Sequence, residues 1–220
     1  DVPYCTIRYQ DWKNYCLEGL ENLEIKELNV QSISNLEKYY EIKLDNGEKI
    51  FARKIYDSRT PKLLNKKLKQ HFFGYVIDTK QMVNSDGVTL MDFRVEQKMG
   101  LHFMYCLPIS ENRMLVESTI FSSEIQEDDW YQKQILEYIE TKLNLSDYKI
   151  VDEEKGVLPM YDINNRSNGN YINIGSRGGA TKISTGYAFS FFLKNLLKSN
   201  KKKHHSLFDR WMDKVFVNYL

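Results

Sequence analysis

Four glycines fall within twelve residues of the segment Tyr171-Ile-Asn-Ile-Gly175-Ser-Arg-Gly178-Gly179-Ala-Thr-Lys-Ile-Ser184-Thr185-Gly186-Tyr187. A β-like run ends at Ile174, and the pattern predicts a helix from about Ser184. Glycine lets the backbone approach a ligand closely, and a helix start presents N–H groups to negative charge. A plain strand-to-helix connection has the same pattern, and no G-x-G-x-x-G fingerprint occurs in the chain. Glu117 stands in a run whose period of two puts Leu115, Glu117, Thr119 and Phe121 on one face. On a wet face it is an ordinary glutamate. On a buried one it is a desolvated carboxyl that stays protonated near neutrality and can act as a general acid. Asp92 and Arg94 share a face at i and i+2, either as a charge pair that orients a site or as ordinary cross-strand ion-pair residues. His71 suits a proton relay, although a hydrogen-bonded structural imidazole is the commoner case. His102 lies in an apolar strand, as core histidines do. No spacing of ligand-type residues points to a metal.

These residues need strands and turns to position them. Residues 4–22 read as a short strand or turn leading into a helix, with Trp12, Tyr15, Cys16 and Leu20 at helical spacing. Tyr40, Ile42 and Leu44 then alternate with charged residues, and Asp45-Asn46-Gly47 supplies a hairpin turn before a returning strand over Lys49–Tyr56. Gln70–Asp78 reads as a strand. A meander follows over Val88–Val95, Leu101–Leu107 and Arg113–Phe121, with turns at Lys98–Gly100 and Pro108–Asn112. A helix is expected over about Asp128–Asn144, with the stripe Tyr131, Ile135, Tyr138, Ile139 and a Ser123-x-x-Gln126 capping box. Strands recur near Tyr148–Asp152 and Tyr171–Ile174. The class is α+β, dominated by antiparallel strands.

With 42% hydrophobic and 28% charged residues and only 4 Pro, the composition is that of a folded domain, not a disordered chain. A net charge of +1 excludes a generally basic nucleic-acid binder. Cys5, Cys16 and Cys106 are odd in number and lack C-x-x-C spacing, which argues against a disulfide framework and for a reducing compartment. The longest apolar-rich stretch, Tyr187–Leu197, is about half of the ~20 residues that span a bilayer. The chain opens on Asp1-Val2-Pro3, so its natural N-terminus is expected to lie upstream.

The glycine-rich segment resembles the second flavin-binding motif of lycopene cyclases, approximately Ile-Gly-x-x-Gly-Gly-x-x-x-x-Ser/Thr-Thr-Gly-Tyr. Four further blocks occur in family order. Asp57-Ser58-Arg59 is similar to the turn where the family's chain re-enters its nucleotide-binding sheet. Gln70-His71-Phe72-Phe73-Gly74 is similar to the Gln-His-Phe-x-Gly-Trp block, with Tyr75 in place of Trp. Leu90-Met91-Asp92-Phe93-Arg94 resembles the Met-Asp-Phe/Trp-Arg block. Leu115-Val116-Glu117-Ser118-Thr119 resembles the block that holds the family's proposed catalytic acid.

The resemblance implies part of an α/β FAD-binding flavoprotein fold. Residues 1–60 would be the remainder of the FAD-binding region with its hairpin, 61–160 the antiparallel substrate and catalytic region, and 161–220 the second FAD motif with C-terminal helices. The family's N-terminal βαβ unit and its C-terminal end would lie outside this chain. Glu117 is implied as the catalytic acid, with Asp92 and Arg94 beside it. Gly175, Gly178, Gly179, Ala180, Thr181, Ser184, Thr185, Gly186, Asp57 and Arg59 are implied to hold FAD. The expected activity is redox-neutral cyclisation of lycopene ends to β-ionone rings, using reduced FAD with NAD(P)H as reductant. The family would be of bacterial type, cytoplasmic and peripherally attached to the membrane that holds its carotenoid. The Lys198–His205 run suits either anionic lipid or a solvated loop. Rival expectations are a related FAD-dependent monooxygenase or isoprenoid reductase, and a non-catalytic isoprenoid-binding fragment.

Overall fold

The computed structural model describes residues 7–83, 87–163, 169–189, 211–213 and 215. Ser184–Ala188 form turn and loop, so the helix expected from about Ser184 does not start there; residues 190–210, with the Lys198–His205 run, lie outside the described residues, as does Cys5. Two compact units result: Asp1–Tyr56 with Asn168–Ile172, and Asp57–Ser167 with Asn173–Leu220.

The first unit holds helix α1 (Tyr9–Leu17) and an antiparallel sheet of β1 (Val30–Leu36), β2 (Tyr39–Leu44) and β3 (Lys49–Ala52). The expected hairpin forms, with Gly47 at φ 85 in its turn. The returning strand, expected to reach Tyr56, stops at Ala52. Ile55–Asp57 is a separate strand, β4, paired with β10 (Tyr171–Asn173). A pairing partner more than a hundred residues away thus overrides local continuity. Helix α1 buries none of its residues, and it ends before Gly19, so Leu20 lies outside it. Trp12 and Tyr15 instead stack on each other, with centroids 5.9 Å apart.

The second unit is built on a five-stranded antiparallel sheet in the order β6-β7-β8-β5-β9. The strands are β5 (Lys69–Thr79), β6 (Thr89–Asp92), β7 (Leu101–Ser110), β8 (Arg113–Ser122) and β9 (Tyr148–Pro159). The meander forms, but β6 ends at Asp92 short of the expected Val95, so Arg94 lies beyond the strand, and two further bounds differ. Pro108 lies inside β7 instead of the turn, at a register shift between Pro108 and Ser110; a bulge tolerates the missing donor of proline. Strand β9 continues past Asp152 to Pro159 because β5 pairs with it from Thr79↔Tyr148 to Lys69↔Pro159.

Helix α2 (Asp128–Thr141) packs on one face of this sheet. Its buried residues are the expected stripe, Tyr131, Ile135, Tyr138 and Ile139, and each aliphatic one contributes about 1.5–3 kcal/mol through burial. They close over Phe73, Tyr75, Ile77, Met104, Cys106, Met114, Val116 and Ile120. The capping box does not form. The helix begins after Glu127, Gln126 N–H donates to the Tyr131 hydroxyl (3.3 Å), and Gln126 Nε2 donates to Glu124 O (3.2 Å). Asp128 and Asp129 meet the positive end of the helix instead. The opposite sheet face has a smaller core of Phe103, Phe121 and Met160, with Leu68, Leu101 and Tyr105 against it.

Candidate functional site

Away from α2, one row crosses the sheet through Tyr105 on β7, Glu117 on β8, Gly74 on β5 and Glu154 on β9. Period two puts Leu115, Thr119 and Phe121 on the Glu117 face, as the sequence predicts. Glu117 is only 8% exposed. Its Oε1 accepts a 2.6 Å hydrogen bond from Thr119 Oγ1. Burial pushes its carboxyl up to about 8, against the Thr119 bond, and the neighbouring Glu154 adds to the rise. Burial thus favours the neutral, proton-bearing form of Glu117. Around it the face is aromatic. Phe103 and Tyr105 meet edge to face at 5.2 Å, and the Phe72 ring lies over Gly156, where a Cβ would stand 2.6 Å from Phe72 Cζ.

Asp92 and Arg94 do form a local ion pair, with Arg94 Nη2 2.6 Å from Asp92 Oδ2. Asp92 pairs with Met104, a residue of the α2 core, and its Oδ2 accepts from Tyr138 of α2 at 2.6 Å. The pair therefore lies on the opposite face from Glu117 and joins β6 to α2. The Arg94 guanidinium, seconded by the Tyr138 hydroxyl, holds Asp92 well below the usual carboxylate range despite its burial. Both histidines also face α2. His71 bridges the Tyr131 hydroxyl and Ser122 Oγ, and burial, helped by the Lys69 charge, lowers it to about 4. His102 bonds Ser118 Oγ (2.8 Å) and Glu96 O (2.9 Å). Both imidazoles are structural.

The glycine-rich segment folds back on itself. Gly175–Gly178 is a 3-10 turn, closed by Gly179 at φ 75. The amides of Gly178, Gly179, Ala180, Thr185 and Gly186 donate to carbonyls of the same loop or to Ile174. Ala180, Thr181 and Ser184 are buried, and Thr181 Oγ1 donates to Ser176 Oγ at 3.0 Å. Asp57 fastens the loop. Its buried carboxylate pairs with Arg59 (Nη2–Oδ2, 2.9 Å) and with Arg177 (Nε–Oδ2, 3.0 Å), and Asp57 O accepts from Ile174 N at 2.9 Å. At its far end the loop meets β5: a Cβ on Gly186 would stand 2.0 Å from Gln70 Oε1.

Two observations fit the flavin that the resemblance implies. Among the described residues, a Cβ at Gly175 would meet nothing within 4 Å, which leaves room for a planar group there. Among the described residues the buried Gln70 Oε1, packed against Gly186 of the loop, has no hydrogen-bond partner.

The structure thus unites Asp57, Arg59 and the 175–186 loop, and it sets that loop against the strand face that carries Glu117. Arg177, Glu154 and the bond from Tyr138 to Asp92 did not emerge from sequence reasoning. The one available signal was Gly74, since glycine inside a strand marks close approach of another group.

The comparisons with known proteins concern the family and the fold. Residues 1–199 match the family model described as lycopene cyclase protein. A lycopene beta-cyclase from Pseudescherichia vulneris is 30% identical over 125 residues, covering 54% of this chain and 31% of that protein. One from Pantoea ananas is 26% identical over 148 residues, covering 62% and 34%. The matched region is about a third of the length of these curated relatives. Among solved structures, a geranylgeranyl bacteriochlorophyll reductase-like protein from Thermoplasma acidophilum superposes with TM-score 0.56 at 12% identity, covering 88% of this chain and 54% of its own. The flavin-dependent brominase Bmp2 gives 0.55 at 11% identity, covering 96% and 60%. These two likenesses concern the fold. With the family model covering most of its length, the chain belongs to the lycopene cyclase protein family.

Proposed function

We propose that this chain carries the acid-bearing sheet and part of the flavin site of a lycopene β-cyclase, with Glu117 as the proton donor. The observation that carries this reading is a buried carboxyl, its proton held by desolvation, on an aromatic sheet face. Lycopene ends in electron-rich trisubstituted alkenes. Ring closure needs a proton placed on the terminal alkene, attack by the neighbouring alkene and loss of a ring proton, with no net redox change. Glu117 supplies the first proton, and desolvation keeps it available. The Thr119 hydroxyl fixes one carboxyl oxygen and leaves the other for proton transfer. The Phe72 and Tyr105 rings on this face can attract positive charge, an interaction of about 2 kcal/mol when desolvated.

FAD would be held along Gly175–Gly179 and near Gln70, with Asp57 and Arg177 fixing the loop. In its reduced form, produced by NAD(P)H, it would supply negative charge beside a cation. The carotenoid is insoluble, so the protein meets it at a membrane surface. Among the described residues no helix is long and apolar enough to cross a membrane, which leaves peripheral attachment as the proposed route.

The test is pigment chromatography of lycopene-accumulating bacteria that express the full protein containing this chain. The expected result is γ- or β-carotene from the wild type and unchanged lycopene from Glu117→Gln with flavin retained. Unimpaired cyclisation by Glu117→Gln would remove Glu117 as the acid. Consumption of NAD(P)H in step with turnover would replace the cyclase reading with a redox one.

A further inference from the structure

Glu117 and Glu154 flank the same residue, Gly74, from the two strands on either side of β5. Strands two apart in a sheet are roughly 9.6 Å from each other, and an ordinary side chain between them would keep two glutamates separate. Gly74 removes that side chain. A Cβ there would stand 3.2 Å from Glu117 Cβ, 3.3 Å from Glu154 Cγ and 3.0 Å from Leu115 Cδ1, so the two glutamates and Leu115 already fill the space. Glycine in the middle of a central strand weakens it, and at this position it lets the stems of the two glutamates close over the strand, so that their side chains interact. Their exposures differ: Glu117 is buried and Glu154 is exposed, so the pair runs from the interior to solvent.

We propose that Glu117 and Glu154 share one proton across the gap left by Gly74, with Glu154 as the positioning residue that holds the proton on Glu117 and reloads it from solvent. The proposal rests on Glu117 being the acid of the proposed function. In the reaction the Glu117 O–H bond breaks as a C–H bond forms on the terminal alkene carbon. The proton lost from the ring passes to solvent, and one from solvent returns through Glu154 to the Glu117 carboxylate, so protons balance and no electrons are transferred. The other groups facing Glu117 are Thr119 and Leu115 on β8 and Tyr105 on β7. Asp152, which pairs with Val76, lies further along β9. Phe72 and Val76 on β5 bring no charge.

The deciding measurement is a carboxyl-carbon NMR titration of glutamate-labelled protein, wild type against Glu154→Gln and Glu154→Asp. Residue 154 is exposed, so both variants are expected to fold. Removing the like charge lowers the Glu117 midpoint by about one pH unit in Glu154→Gln, and Glu154→Asp restores part of it. The alkaline limb of the cyclisation pH profile, where Glu117 loses its proton, moves in the same direction. An unchanged Glu117 midpoint in Glu154→Gln overturns the shared proton. A shifted midpoint in a protein that leaves lycopene untouched upholds the pair and overturns the cyclase reading instead.

Discussion

Gln70 and Gly186 meet so closely that the Gln70 side-chain oxygen occupies the place where a Cβ of residue 186 would be, 2.0 Å from it. Gly186 also has φ 74, a conformation that L side chains rarely adopt. Backbone conformation and packing therefore both require glycine. Gly186→Ala is expected to cost about 1–3 kcal/mol from conformation alone, with a further penalty from the Gln70 contact. Gln70→Ser added to Gly186→Ala should recover only the contact part. Urea unfolding of the two variants checks this, and equal stability of the single and double variants would discount the contact.

The raised Glu117 carboxyl has a consequence for stability. Its folded value of about 8 exceeds the ordinary 4.5, so the folded state binds the extra proton between those limits. The contribution is complete below about pH 4.5 and is lost as pH rises through about 8. Unfolding free energy should therefore fall with rising pH across this window in the wild type. The slope should shrink in Glu117→Gln. Denaturant midpoints of both proteins from pH 5 to 9 measure it.

Arg177 is predicted to fasten the glycine-rich loop through Asp57. Arg177→Ala should weaken flavin binding by the protein and lower its stability by about 1–2 kcal/mol, the scale of a hydrogen bond to a charged group after solvent screening. Asp57→Asn should do more, because Asp57 also takes hydrogen bonds from the Arg59 backbone and guanidinium. Flavin fluorescence titration separates the binding effect from the unfolding one.

Tyr138 and Asp92 are predicted to act in stability, not in chemistry. Tyr138→Phe removes the 2.6 Å bond to the buried Asp92 carboxylate, a loss of about 1.5–3 kcal/mol. The pair faces α2, so the Glu117 titration should stay where it is. A moved Glu117 midpoint would show the two sheet faces to be coupled.

Several features were legible from local pattern. Period 3.6 marked Tyr131, Ile135, Tyr138 and Ile139 as the buried stripe of α2. Period two put Glu117 and Thr119 on one face, and the structure joins them by a hydrogen bond. The turn at Asp45-Asn46-Gly47 was likewise local chemistry, and the α+β class followed from these elements together. Local pattern states which side chains share a face, but not which neighbours that face will meet. Strand pairing and long-range contact decided the rest. Register brought Gly74 between Glu117 and Glu154, sheet order placed Asp92 with Tyr138 and away from Glu117, and Arg177 met Asp57 across more than a hundred residues. The physical reason is that periodicity is set by the backbone geometry of a few consecutive residues. Burial, charge pairing and the proton affinity of Glu117 depend on neighbours that only the folded sheet supplies.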